Sequence, residues 1–204
     1  ANRSNAHVMR VKNSNDVYFD NIDNFLNNIN KKQKVMSKWE DKKLNVLIPM
    51  AGAGSRFEKA GYTFPKPLID VKGKPMIQVV VENLNIYANY IYIVQKSHRE
   101  KYNLDTFLNL ITPNCKIIDV DGITEGAACT ALLAKKYIDN DDPLFFANSD
   151  QYVEWNSSEF MYKMQETDVD GGIVTFEATH PKWSFVKVDS DGYAIEVAEK
   201  NPIS

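Results

Sequence analysis

The chain has 204 residues, 44% of them hydrophobic and 25% charged, with a formal net charge of −3. That balance suits a soluble globular protein of one domain, or one domain plus an appendage, with enough apolar material for one sizeable core. The acidic excess argues against a general nucleic-acid binder and no apolar run approaches the length of a membrane span, so neither nucleic acid nor membrane is expected as a partner.

The two cysteines, Cys115 and Cys129, form no CxxC pair and no disulfide framework. With no signal peptide in evidence, the expected compartment is the cytoplasm, with both thiols reduced. Residues 1–43 are rich in Asn and Lys. Ile22, Phe25, Leu26 and Ile29 make one helical stripe between Asp20 and Lys32, followed by a charged linker to Lys43. The segment reads as an appendage: the tail of an upstream domain, or residues left over from expression.

At Asn45 the texture changes. Val46-Leu47-Ile48-Pro49-Met50 is a continuous apolar run, as in a buried parallel strand. A loop of small residues follows from Ala51 to Arg56. Pro75 to Leu84 predicts a helix opened by proline, and Tyr90 to Val94 a second strand. Ser97 to Leu110 reads as a helix, with Ser97 as cap and Glu100 at capping-box spacing. Lys116 to Val120 is a third strand, Ala127 to Ile138 a helix, and Leu144 to Ala147 a fourth strand. Strands alternating with helices predict an α/β fold, a mostly parallel sheet covered on both faces. Short strands at Gly172 to Phe176, Phe185 to Val188 and Ala194 to Val197 predict an antiparallel extension, with Asp189-Ser190-Asp191-Gly192 as a turn. The chain stops at Asn201-Pro202-Ile203-Ser204 without a closing element, so residues 44–204 are expected to form a domain truncated at its C-terminus.

The most informative stretch is Met50-Ala51-Gly52-Ala53-Gly54-Ser55-Arg56, followed by Pro65-Lys66-Pro67-Leu68. A loop directly after the first strand of an open parallel sheet lies where ligands bind. Gly52 and Gly54 let the backbone approach a phosphate closely, and successive N–H groups there make an anion-binding concavity. Arg56 adds a bidentate cation. Lys66 adds a compact charge on a segment stiffened by two prolines. Phe57 stands where a GxGxxG fingerprint needs its third glycine, and GxxxxGK[ST] is absent, so neither dinucleotide nor Walker-type binding is implied.

Leu47-Ile48-Pro49-Met50-Ala51-Gly52-Ala53-Gly54-Ser55-Arg56-Phe57, with Pro65-Lys66-Pro67-Leu68 and Gly73-Lys74-Pro75-Met76, resembles the signature of the sugar nucleotidyltransferases, or nucleoside-diphospho-sugar pyrophosphorylases. The likeness runs from about Asn45 to Pro202 and is closest to capsule-type members. It implies a GT-A-like, Rossmann-related fold and an enzyme that joins an NTP to a sugar 1-phosphate with release of pyrophosphate. By this resemblance Gly52, Ala53, Gly54 and Arg56 hold the NTP phosphates, Ala51 is a further nucleotide-binding residue, and Lys66 contacts both substrates' phosphates in the transition state. Asp150, after the fourth strand, is implied as a ligand of Mg²⁺, the expected cofactor. A second metal Asp is expected further along than this chain reaches.

Gly126, in Thr124-Glu125-Gly126-Ala127-Ala128, leaves room for a flat nucleobase. Glu125 suits two roles: an acceptor for a guanine or cytosine edge, or a helix-start charge favoured by the dipole. Glu199-Lys200 resembles the family's pair in which the acid takes sugar hydroxyls and the lysine the sugar phosphate; a solvated surface pair has the same sequence. Ser184 departs from the glycine that many members carry near the sugar. His7, His98 and His180 lack metal-ligand spacing. Two other readings stay open: a metal-dependent glycosyltransferase, although Asp150-Gln151-Tyr152 is not Asp-Xaa-Asp, and a non-catalytic nucleotide-sugar-binding regulatory domain. Self-association is compatible with the sequence.

Overall fold

A computed structural model describes residues 6–10, 17–18, 38–52, 61, 64–166 and 169–203. The stripe from Ile22 to Ile29, and Ala53, Gly54 and Arg56 of the glycine loop, lie outside the described residues. The chain divides into two compact units, one of residues 17–152 and the other of residues 1–16 with 153–204.

In chain order the strands are β1 (Ala6–Arg10), β2 (Val17–Tyr18), β3 (Trp39–Pro49), β4 (Asp70–Val71), β5 (Lys74–Pro75), β6 (Ile86–Gln95), β7 (Lys116–Val120), β8 (Leu144–Phe146), β9 (Gln151–Tyr152), β10 (Gly171–Thr175), β11 (Ser184–Val188) and β12 (Ala194–Glu199). The helices are α1 (Met76–Leu84), α2 (Lys96–Lys101), α3 (Leu104–Ile111), α4 (Ala127–Leu132), α5 (Lys135–Ile138) and α6 (Ser157–Glu166).

The core of the larger unit is a four-stranded sheet in the order β7-β6-β3-β8, with every pair parallel. The apolar runs explain it. Val46, Leu47 and Ile48 of β3, and Ile91, Tyr92 and Ile93 of β6, are at most 1% exposed, as strands covered on both faces must be. Side chains alternate between the faces. Leu47, Ile91 and Ile93 share one cluster with Ala134, against which Tyr137 and Ile138 pack. Tyr92 points the other way, and its hydroxyl bonds Thr112 Oγ1 just past α3 at 3.0 Å. Helices therefore lie on both faces, as expected for this class. Truncating Leu47 to Ala would cost about 2–5 kcal/mol.

Four local features depart from the sequence reading. β3 starts at Trp39, before the expected Asn45, with its register shifted between Glu40 and Asn45. Asp41 Oδ1 absorbs the irregularity by accepting from Lys43 N at 2.8 Å and Leu44 N at 3.3 Å. The expected 97–110 helix is two, α2 and α3, because Asn103 adopts φ 48°, which ends a right-handed helix. Ser97 thus lies inside α2, and Gln95 holds the N-cap position. The 127–138 helix divides where Leu133 N and Ala134 N bond Thr130 O and Ala131 O, a tighter three-residue reach. The hairpin β4–β5, unassigned by the sequence reading, turns through Lys72 (φ 53°) and Gly73 (φ 82°), and Asp70 Oδ1 accepts from Gly73 N at 3.1 Å.

In the smaller unit β11 and β12 are antiparallel, as expected. The turn between them is held by Asp189 Oδ1, which accepts from Asp191 N and Tyr193 N at 3.0 and 2.9 Å. β10 instead pairs in parallel with β1. Helix α6 was not assigned from sequence. Its signal is Asn156, whose Oδ1 caps Glu159 N at 3.0 Å. Gly172 of β10 lies against α6, where a Cβ would collide with Met164 Sδ and crowd Phe160.

Candidate active site

From β3 the chain builds β6 and then β7 on one side, and later returns to place β8 on the other. This reversal of strand order opens a crevice beyond the carboxyl ends of β3 and β8. The glycine loop leaves β3 there, and Asp150 follows β8.

The loop's first residues are firmly held. Met50 N bonds Ile93 O at 2.8 Å. Ala51 is 6% exposed within the apolar cluster of Leu47, Ile91 and Ile93. Its carbonyl accepts from Gln95 Nε2 at 2.8 Å. Gly52 then emerges exposed, and among the described residues no atom lies within 4 Å of where its Cβ would stand. Backbone is therefore accessible to a ligand at this point.

Lys66 begins a 3-10 turn, Lys66–Leu68, flanked by Pro65 and buried Pro67. Leu68 N bonds Pro65 O at 2.8 Å, and Met76 N bonds Ile69 O at 2.9 Å, so the turn is tied to the start of α1. The Lys66 ammonium pairs with Asp150 Oδ2, the two side chains being 21% and 15% exposed. Asp150 is placed by β8, whose end is marked by Ala147 N bonding Leu47 O at 3.0 Å, and by the Asn148 amide bonding Gln151 Oε1 at 2.8 Å. Each charge offsets the desolvation of the other. The cation and the carboxylate singled out in the sequence thus stand in contact, partly shielded from water.

Glu125 and Gly126 lie beyond the carboxyl end of β7, both exposed. The Gly126 carbonyl accepts from Thr130 N and Thr130 Oγ1, each at 3.0 Å, and from Thr124 Oγ1 at 3.3 Å. The two threonine hydroxyls also bond each other. Gly126 is extended and open to solvent, with nothing described within 4 Å of a Cβ position.

Glu199 and Lys200 belong to the other unit. Lys200 Nζ donates to Glu199 Oε1 at 2.8 Å, both side chains being well exposed. The neighbouring ammonium holds the Glu199 carboxyl below its usual range. Ser184 is the register partner of Glu199 across β11–β12. It lines a cavity of about 440 Å³ with Phe176, Trp183, Phe185 and Val197. Phe176 meets Trp183 edge to face at 5.0 Å.

Three residues with positioning roles were not found from sequence: Gln95, Thr124 and Thr130. The sequence reading ended the second strand at Val94, one residue before the amide that reaches the loop. Two histidines have local roles: His98 packs on Tyr102, and His180 Nδ1 accepts from Lys182 N at 3.1 Å. Among the described residues no three His, Cys, Asp or Glu side chains form a metal cage. A lone carboxylate still suits Mg²⁺, which keeps waters and takes one or two protein carboxylates plus substrate phosphate. No helix among the described residues is long and apolar enough to cross a membrane.

Residues 45–202 match the model of the nucleotidyl transferase family. The bifunctional protein GlmU of Methanocaldococcus jannaschii is 30% identical over 165 residues, covering 79% of this chain and 37% of the relative. A mannose-1-phosphate guanyltransferase of Aspergillus oryzae is 26% identical over 151 residues, covering 68% and 39%. The chain thus spans less than half the length of these curated relatives. Among solved structures, a nucleoside-diphosphate-sugar pyrophosphorylase from Vibrio cholerae superposes with a TM-score of 0.63 at 26% identity, covering 78% of this chain and 68% of that one.

Proposed function

Since the chain belongs to the nucleotidyl transferase family, we propose that it serves a sugar-phosphate nucleotidyltransferase, which joins an NTP to a sugar 1-phosphate and releases pyrophosphate. The observation that carries this reading is the contact of Lys66 with Asp150 at the switch point of the sheet, where β3, the strand that leads to the exposed Gly52, neighbours β8.

The sugar-phosphate oxygen attacks the α-phosphorus of the NTP, forming a P–O bond as the bond to the β-phosphate oxygen breaks. That oxygen is already ionised, so alignment and charge neutralisation do the work instead of a general base. Gly52, with Ala53, Gly54 and Arg56, cradles the triphosphate. Lys66 leaves Asp150 and spans the α-phosphate and the sugar phosphate, stabilising the charge that builds up between them. Mg²⁺ held by Asp150 would screen the phosphate oxygens and make the α-phosphorus more electrophilic. Glu125 accepts from the base edge, and Gly126 lets the base lie flat. The guanyltransferase among the relatives favours guanine as that base. Glu199 and Lys200 bind the sugar hydroxyls and the sugar phosphate. The nucleotide sugar feeds capsule or surface polysaccharide synthesis, on the likeness of the glycine loop to capsule-type members, and the cytoplasmic NTP pool places the reaction there.

The test is to incubate the full-length protein with each NTP, Mg²⁺ and a panel of sugar phosphates. Pyrophosphate release that depends on both substrates is the expected result. Consumption of a nucleotide sugar without pyrophosphate, or binding without turnover, would overturn the proposal.

A further inference from the structure

We infer that Gln95 is a positioning residue that sets the direction of the Gly52 N–H, the first amide of the phosphate loop; this inference rests on the nucleotide-binding reading above. Three observations support it. First, the β3–β6 strand ladder runs out at Met50 N to Ile93 O, 2.8 Å. The Gln95 side chain adds one more rung beyond that point by donating to Ala51 O at 2.8 Å. Its backbone is occupied on the other side, in register with Val120 of β7, and it is the N-cap residue of α2.

Second, the Ala51–Gly52 peptide is planar and trans, since no cis bond occurs among the described residues. Its carbonyl and the following N–H therefore point in opposite directions. A carbonyl turned toward Gln95 on β6 turns the Gly52 N–H toward the β8 side of β3. That is the side on which Asp150 follows β8 and holds Lys66.

Third, among the described residues the Gln95 amide is what holds the Ala51 carbonyl. The Ala51 side chain is locked in the core, but that fixes Cα and not the peptide plane. Gly52 tolerates nearly any backbone angle, and among the described residues no atom lies within 4 Å of its Cβ position. The Gln95 amide thus favours the peptide orientation in which an N–H, and not a carbonyl oxygen, faces the polyphosphate.

The experiment uses the full-length protein labelled with ¹⁵N-glycine, which carries nine glycine amides over residues 1–204. NTP is titrated while the Gly52 resonance is followed, in wild type, Gln95→Glu and Gln95→Lys. Gln95→Glu keeps the shape but puts a carboxylate against the carbonyl. It is expected to raise the NTP dissociation constant about 10- to 30-fold at pH 8, with an unchanged melting temperature. The deficit relative to wild type should shrink as pH falls and the introduced carboxyl protonates into a donor. Gln95→Lys restores a donor and should stay within about threefold of wild type. A Gly52 amide insensitive to NTP in wild type, an unchanged dissociation constant in Gln95→Glu, or equal losses in both variants would overturn the inference. NTP binding with these signatures but no pyrophosphate release would defeat the enzymatic reading and leave the role of Gln95 standing.

Discussion

Lys66 and Asp150, far apart in sequence, form a direct ion pair at the carboxyl end of the parallel sheet. The ammonium occupies the carboxylate that is proposed to take Mg²⁺, so substrate and metal binding together exchange the partners of two charges already in place. Lys66→Ala and Asp150→Asn should each lower kcat by about 100-fold or more, the scale of a lost charge stabiliser, with circular dichroism unchanged. Pyrophosphate release near the wild-type rate in either variant would remove these residues from the mechanism.

Glu125 is exposed beside an open glycine and set by a threonine-braced turn. Glu125→Gln keeps the shape but exchanges an acceptor oxygen for a donor. It should lower kcat/KM for the preferred NTP about 10-fold and narrow its advantage over the others, since a mispaired polar group costs about 1–3 kcal/mol. Equal loss with all four NTPs would point to a purely structural helix-start charge.

Lys200→Met tests the sugar-phosphate assignment. The Lys200 backbone is held by its N–H to Trp183 O at 2.9 Å, so truncating the charge leaves the strand end intact. KM for the sugar phosphate should rise about 10-fold, the effect of one charge-assisted contact, while KM for NTP holds. A rise in both would show that the lysine is not specific to the acceptor.

Arg99 clamps two carboxylates: Asp105 at 2.7 and 2.5 Å, and both oxygens of Asp119 at 3.0 Å. This ties α2 to α3 and β7. Hydrogen bonding to Arg99 holds the Asp105 carboxyl below its usual range. A depressed carboxyl contributes stability above the ordinary carboxylate range and loses it as pH falls through its folded value. Asp105 is half exposed, so Asp105→Asn should cost only about 0.5–1 kcal/mol at pH 7 and less at pH 3. Urea midpoints at the two pH values would show it.

Burial raises the phenols of Tyr90 and Tyr92 above their usual value. A raised acid contributes stability below its unfolded pKa, about 10 for tyrosine, and loses it as pH rises further. The protein should therefore weaken progressively above pH 10. Tyr92→Phe should cost about 1 kcal/mol at pH 7 and flatten part of that decline, since Thr112 Oγ1 keeps its bond to Leu108 O at 2.9 Å. An unaltered alkaline slope in urea titrations would count against burial of this phenol.

The strands of the sheet were legible because unbroken apolar runs have few alternatives in an α/β chain. Their order was not, since no periodicity records that β8 returns beside β3. Helix breaks were missed where a single dihedral decides, at Asn103, or where two bonds tighten, after Thr130. Within the candidate site, Lys66 was singled out from motif chemistry and Asp150 from family resemblance, but their contact was not legible. Gln95 escaped because an amide at a strand end looks like any polar boundary residue; only the approach of Ala51 O gives it a task.

Gly172 owes its identity to a neighbour: the thioether of Met164 fills the volume a side chain there would need. Because methionine turns about three bonds, an intruding methyl group would evict the sulfur and leave the main chain where it is. The two positions therefore behave as one lodging with a single tenant, and bulk gained at 172 has to be surrendered at 164.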